Sequence, residues 1–308
     1  MRAVVLERNK IVSRRLARYF LAAGVDVAVV EEPKDLGLHA ANADLIVADT
    51  FDGDLVAQTV RAKPGLRGLL YTAEPLKRSM RYLVENGAIS NVLGRKDFES
   101  IPRPWELLMV LRRLIDPGDG APPLSAYLDW GYGSFEQRVA TTRGRDEAVA
   151  RVQAFITQLQ VPKRIAEMFG ELAHEMLMNA MYDAPADSAG QAKYAADRKA
   201  DLTLLEAEQP ILRMATDGTR LVLQVRDPFG RLQRKHVFDG LARGLAQGEM
   251  DTSHGGAGLG MMVCHNSSAA MVFDVVRGRM TEVTGVFELD LNLREFRSQA
   301  KSLHFFQR

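Results

Sequence analysis

Cysteine is all but missing: the 308 residues contain one, Cys264. A single thiol excludes an intramolecular disulfide and any metal site built on a cysteine cluster. Net charge is nearly missing as well, because 40 Lys and Arg stand against 39 Asp and Glu, a formal +1. That balance argues against a strongly basic nucleic-acid binder and against a polybasic membrane-surface protein. Proline is scarce, at 12, and 46% of residues are hydrophobic, so the chain is not a disordered or low-complexity one. The opening run, MRAVVLERNK, has too few consecutive apolar residues for a signal peptide. The one long stretch without charge, residues 255–273, contains four glycines, two serines, an asparagine and a histidine. It reads as a glycine-rich loop entering a helix, not as a bilayer span. The expectation is a cytoplasmic protein with neither a membrane nor a nucleic acid as partner.

What the chain does have is length for two domains of ~100–200 residues each. Short apolar runs at 3–6, 25–30, 44–48, 68–71 and 89–93 read as strands. Amphipathic stretches at 12–23, 55–61, 76–86 and 105–115 read as helices between or after them. This alternation predicts an α/β module over residues 1–115, a doubly wound parallel sheet covered on both faces. The functional edge of such a sheet lies at the carboxyl ends of its strands. Those ends present Glu7, Asp49 and Thr72, with Arg95 or Lys96 after the fifth strand.

Over this range the chain resembles the receiver domains of two-component response regulators, which are flavodoxin-like. The resemblance implies an acidic pair after strand one that holds a divalent cation, and an Asp after strand three that accepts phosphate. It also implies a Thr or Ser after strand four and a Lys after strand five. Asp49 and Thr72 match those positions. The acidic pair, however, is Glu7 and Arg8, and a guanidinium beside the carboxylate repels a hard cation. The module therefore reads as a degenerate, protein-binding receiver. Asp49 is the phosphoacceptor if one exists.

Residues 116–123 (DPGDGAPP) are the clearest linker, and residues 116–134 are read as the connection to a second domain over 135–308. An apolar stripe from Ala148 to Leu159 predicts a helix starting near Asp146. A second long helix is predicted from Lys163 to about Tyr182, where Glu171, Glu175, Asn179 and Asp183 form one polar stripe. Strands follow at 211–216 and 221–226, the second ending in Asp227 and Gly230. A lid-like stretch over 231–254 leads to the glycine loop at 255–260. A closing hairpin at 273–276 and 283–291 completes the domain. A glycine-rich loop at a helix start lets backbone N–H groups approach phosphate oxygens.

In this order the Glu-x-x-x-Asn helix, the Asp-x-x-Gly strand end and the Gly-x-Gly-x-Gly loop resemble the GHKL ATPases. The lead-in before Asn179 is most similar to the anti-sigma-factor serine kinase branch. The resemblance implies an α+β two-layer sandwich of the Bergerat type, with ATP and Mg²⁺ as cofactors. Carried over by position, Asn179, Asp183, Asp227, Gly230, Gly256, Gly258, Leu259 and Gly260 would line the ATP site. Asn179 would hold Mg²⁺ and Glu175 would be the catalytic base. Asp227 would accept a hydrogen bond from the adenine amino group. Two departures stand out: Phe229 replaces the first glycine of the adenine motif, and Met181, Tyr182 and Asp183 replace the basic residue expected after Asn179.

These features imply an ATP-binding signalling regulator, an anti-sigma-like serine/threonine kinase acting on a protein partner with a receiver-like input domain. The alternative is a non-catalytic module whose ATP-dependent closure alters a protein-binding surface. An atypical histidine kinase is disfavoured, because no histidine lies between His39 and His174. His174 reads as helix packing or as a support behind the site, Cys264 as a core residue, and His254 as either a phosphate contact or an ordinary loop histidine beside the glycines. Whether the protein is a homodimer stays open.

Overall fold

Four strands of the amino-terminal part are buried along almost their whole length, as the apolar runs demand of a sheet covered on both faces. The computed structural model describes residues 1–187, 189–247 and 257–308. The chain divides into two units, Met1–Gly118 with Arg297–Phe305, and Asp119–Phe296 with Phe306–Arg308.

The first unit alternates β1 (Arg2–Leu6), α1 (Lys10–Ala22), β2 (Asp26–Val30), α2 (Leu36–Ala40), β3 (Leu45–Asp49), α3 (Gly53–Ala62), β4 (Arg67–Thr72), α4 (Met80–Glu85), β5 (Ile89–Gly94) and α5 (Pro104–Ile115). Its strands are parallel, in the order β2-β1-β3-β4-β5. That is the flavodoxin-like order, with its crevice between the carboxyl ends of β1 and β3. Asn9 caps α1 by accepting the backbone N–H groups of Ile11 and Val12. Pro104 opens α5, where its missing N–H costs nothing. Leu16, Phe20, Leu69 and Val110 are among its fully buried residues.

The second unit begins with β6 (Gly133–Arg138), α6 (Thr142–Thr157) and α7 (Lys163–Met178), which continues into a π-turn at Asn179–Asp183. Then come β7 (Ile211–Thr216), β8 (Arg220–Asp227), α8 (Arg234–Gln247), α9 (Ala257–Asn266), β9 (Ala270–Val276), β10 (Met280–Glu288) and α10 (Leu293–Ser298). The strands form an antiparallel sheet, β9-β10-β8-β7-β6. Phe135 meets Phe155 edge-on at 5.4 Å, and Phe169 meets Phe287 at 6.0 Å, so α6 and α7 cover one face. Helices on one side of an antiparallel sheet make an α+β unit. Helix α6 starts four residues before the expected Asp146. The cause is Thr141, whose hydroxyl accepts the N–H of Gly144 and so turns an apparent loop glycine into a first-turn residue.

A last strand, β11 (Ser302–Gln307), is absent from the sequence-based expectation. Leu303 and His304 pair antiparallel with Val92 and Asn91 of β5, which covers that edge of the first sheet. His304 is fully buried. Its Nε2 lies 2.7 Å from Glu106 Oε1 and its Nδ1 3.2 Å from Asn91 Oδ1. Ser302 Oγ accepts the N–H of Gly94 at 2.7 Å, and Arg103 donates to both Ser302 and Glu106. Burial pushes the Glu106 carboxyl up, but His304 and Arg103 outweigh it and hold the group below its usual range. Gly94 has no alternative, because a Cβ there would lie 2.2 Å from the Ala300 carbonyl oxygen. The expected division at 1–115, 116–134 and 135–308 therefore differs from the observed one. The first unit runs to Gly118 and takes residues 297–305 from the end of the chain, because the buried polar groups of α5 and β5 find their partners there.

No helix among the described residues is long and apolar enough to cross a membrane.

Candidate functional site

In the first unit the carboxyl ends of four strands converge on one guanidinium. Arg95, directly after β5, donates from Nη2 to Asp49 Oδ2 at 2.8 Å, and its Nη1 lies 3.5 Å from Glu7 Oε2. The Tyr71 hydroxyl donates to the same Glu7 oxygen at 2.8 Å, and the Asn9 N–H to the other at 2.8 Å. Asp49 Oδ1 accepts the N–H of Phe51 at 2.8 Å. Arg95 also lies over the Tyr71 ring, 4.8 Å from its centroid, and bonds the carbonyls of Phe98 and Ser100.

All three charged side chains are buried, with 3%, 9% and 11% exposure for Arg95, Glu7 and Asp49. Burial raises the Asp49 carboxyl above its ordinary value, while the Phe51 N–H and Arg95 pull against it. Tyr71 is pushed well above the usual phenol range by burial and by Glu7. Thr50 and Thr72 hydrogen-bond each other at 2.9 Å. The open choice between Arg95 and Lys96 is thereby decided: Arg95 turns inward and joins both carboxylates that a divalent cation would use. Arg8 points away and pairs with Asp52 at 2.5 Å. Each Asp49 oxygen thus accepts one hydrogen bond, Oδ1 from the Phe51 N–H and Oδ2 from Arg95.

In the second unit the expected residues gather around the end of α7. Glu175 is half-buried and, among the described residues, accepts no hydrogen bond. It faces the first turn of α9, where a Cβ on Gly260 would fall 2.3 Å from Glu175 Oε2. The glycine thus lets the helix backbone come up to the carboxylate. One turn further along α9, Cys264 is buried and its thiol is pushed up to about 12 by burial, with the Glu175 charge adding to it. It is an inert core thiol. His174 is held below its usual value by burial and by the nearby Arg145, in keeping with packing on the helix. Gly258 and Leu259 fall in α9, whereas Gly256 and His254 lie outside the described residues.

The helix widens to a π-turn from Asn179 to Asp183, with Ala184 N–H bonding Asn179 O at 3.0 Å. Such turns recur at functional sites. Here one nitrogen, Arg198 Nη2, donates to Asn179 Oδ1 at 3.0 Å and lies 3.3 Å from Asp183 Oδ2. The segment carrying Arg198 is fixed on both sides. The Tyr182 hydroxyl donates to Ala200 O at 2.7 Å, and Arg231 donates to Ala184 O at 3.0 Å and Gly190 O at 2.6 Å. Asn179 and Asp183 offer the oxygen ligands a hard cation takes, but a guanidinium already occupies both. As the side chains stand, Mg²⁺ does not fit there.

Asp227, at the end of β8, is almost completely buried, and its carboxyl is pushed up to about 6 by burial despite the Phe229 N–H donated to Oδ1 at 2.9 Å. Three residues on, Gly230 has φ +63°, and a Cβ would sit 2.0 Å from Val276 O, so no other residue suits. Strand β8 touches both α7 and the π-turn, and Arg231, four residues past Asp227, bonds Ala184 directly after that turn. Sequence reasoning missed Arg198 and Arg231, which lie in polar stretches without periodicity.

No family model matches the chain, and no curated protein does either. Among solved structures, the receiver domain of the Francisella response regulator 1452 is similar at 14% identity and a TM-score of 0.32, over 38% of this chain and 98% of that one. A response regulator receiver domain protein from Clostridium thermocellum is similar at 10% identity and a TM-score of 0.32, over 38% of this chain and 94% of that one.

Proposed function

We propose that the chain is a signalling regulator in which the second unit binds an ATP-class nucleotide and the first is a degenerate receiver that docks a protein partner. The observation that carries the nucleotide reading is the convergence of three separate chain segments. Gly260 of α9 comes up to Glu175 on α7. Strand β8, which ends in Asp227, packs on α7 and on the π-turn that carries Asn179, and Arg231, next to Gly230, bonds Ala184 just past that turn. A buried carboxylate beside a glycine that admits no side chain suits an adenine edge, because an acceptor in a dry environment favours a ligand that brings a donor. The glycine-rich stretch including Gly256 and Gly258 suits phosphates. On this reading Asp227 binds the adenine amino group, Asn179 and Arg198 meet the phosphates, and closure over the nucleotide changes what the partner sees.

The receiver-like unit acts by surface contact. Arg95 permanently supplies the positive charge that a cation would bring, and Asp49 is closed to phosphoryl groups.

A second reading, phosphoryl transfer, is favoured by Glu175, a half-buried carboxylate with no hydrogen-bond donor among the described residues. It could take the proton of a serine or threonine hydroxyl on the partner while the γ-phosphoryl moves to that oxygen and ADP leaves.

Binding of a fluorescent ATP analogue to the full chain tests the first reading. Asp227→Ala is expected to weaken it about tenfold or more, the loss of one buried hydrogen bond to a charged group. Absence of binding at millimolar nucleotide would sink the proposal. For the second reading, γ-labelled ATP should yield free phosphate or labelled protein in wild type and none in Glu175→Ala. Wild type that binds without turnover leaves the ATP-gated module.

A further inference from the structure

We propose that Arg198 is the built-in cation of the second unit's anion site, so that nucleotide binding there does not require a divalent metal. The inference rests on the nucleotide reading above and assigns the residue that meets the phosphates. Arg198 Nη2 occupies the two oxygens a metal would need, 3.0 Å from Asn179 Oδ1 and 3.3 Å from Asp183 Oδ2. Its Nε is buried and has no hydrogen-bond partner among the described residues, an unmet donor on the same planar fork. The guanidinium fork matches phosphate oxygens, and its charge is fixed at every physiological pH.

Mg²⁺ would have to displace Arg198 from Asn179 and then sit beside its positive charge. A phosphate group gains from that charge directly. The segment around Arg198 is tied down by Tyr182 on one side and Arg231 on the other, so the guanidinium is placed by the fold and not by chance contact of a loose side chain. The first unit makes the same substitution independently, with Arg95 joining Asp49 and Glu7.

The test is the affinity of the full chain for a fluorescent ATP analogue, measured with Mg²⁺ and again with excess EDTA. Wild type should change by less than about threefold, a difference well below one charge-assisted hydrogen bond. Arg198→Ala should lose about tenfold or more in EDTA and recover part of it when Mg²⁺ is added, because Asn179 and Asp183 are then free to ligate the ion. Arg198→Lys should fall between, keeping the charge without the fork. The comparison within wild type needs no variant, so it stands even if a variant folds poorly. Wild-type binding that collapses in EDTA, or Arg198→Ala that binds like wild type in EDTA, overturns the inference and leaves the nucleotide reading intact. No binding in either buffer overturns the nucleotide reading and this inference with it.

Discussion

Replacing Arg95 by Met is the most demanding test of the first unit. The substitution keeps an unbranched apolar side chain and removes the guanidinium that holds Asp49 at 2.8 Å and Glu7 at 3.5 Å and lies over the Tyr71 ring. Two buried carboxylates are then left facing one vacated position. Breaking a buried ion pair from one side costs ~3–5 kcal/mol, since the remaining charge is uncompensated. At a urea slope of about 2 kcal/mol per molar, that moves the midpoint of the first unit down by about 2 M.

The sign of the pH dependence follows from Asp49, whose folded-state carboxyl already lies above its ordinary value. A raised carboxyl contributes stability that is present below its unfolded pKa and is lost as pH rises through its folded pKa. Without Arg95 the folded value climbs further, so the deficit of the variant is largest near neutrality and shrinks as pH falls towards about 4, where the folded variant holds Asp49 protonated and the uncompensated charge is gone. Trp105 and Trp130 are the two tryptophans, one in each unit. Urea unfolding followed by fluorescence in a Trp130→Phe background therefore reports on the first unit, through Trp105. A deficit below about 0.5 kcal/mol, the scale of an ordinary surface substitution, would refute the reasoning, as would an equal deficit at about pH 4.5 and pH 7.5.

Asp227→Asn should stabilise the second unit above pH 6 by up to ~3 kcal/mol and flatten its pH profile between about 4 and 7. The raised native value, about 6, means that stability is lost as pH rises through it, and the amide has no such loss. Urea midpoints at pH 5 and pH 8 for both proteins decide the matter, and equal slopes with pH would count against it. Gly230→Ala should cost more than about 2 kcal/mol, combining a left-handed backbone with a backbone clash. Gly218→Ala, at φ +88° with nothing within 4 Å, should cost only about 1 kcal/mol. Thermal melts that rank the two equally would remove the steric argument. Acetyl phosphate should leave Asp49 unlabelled in wild type, as judged by intact mass, and stoichiometric labelling would show that Arg95 does not close the site.

The strand ends of the first unit were legible because period and composition agree there: β1, β3 and β4 are runs of buried apolar residues that stop at Glu7, Asp49 and Thr72. What Arg95 does was not legible, since a Gly-Arg-Lys run gives no hint of which cation turns inward. Helix α7 and its Glu175–Asn179–Asp183 stripe could be read from spacing, but the π-turn that brings Asn179 and Asp183 to one guanidinium could not. Arg198 owes its place to Tyr182 and Arg231, contacts that leave no local pattern. Strand β11 escaped for a different reason. Its buried positions include Ser302 and His304, polar residues made acceptable only by partners on β5 and α5.

That strand also sets the order in which the protein can be finished. His304 and Glu106 are 198 residues apart, so a chain growing at ~5–20 residues per second must wait ~10–40 s after making Glu106 before its partner exists. Throughout that interval the nascent first unit carries an acid destined for complete burial, with only Arg103 to answer it, and an open β5 edge. A helper that shields a strand edge during synthesis, or a pause that lets the tail arrive, would change the yield of this protein more than its final stability.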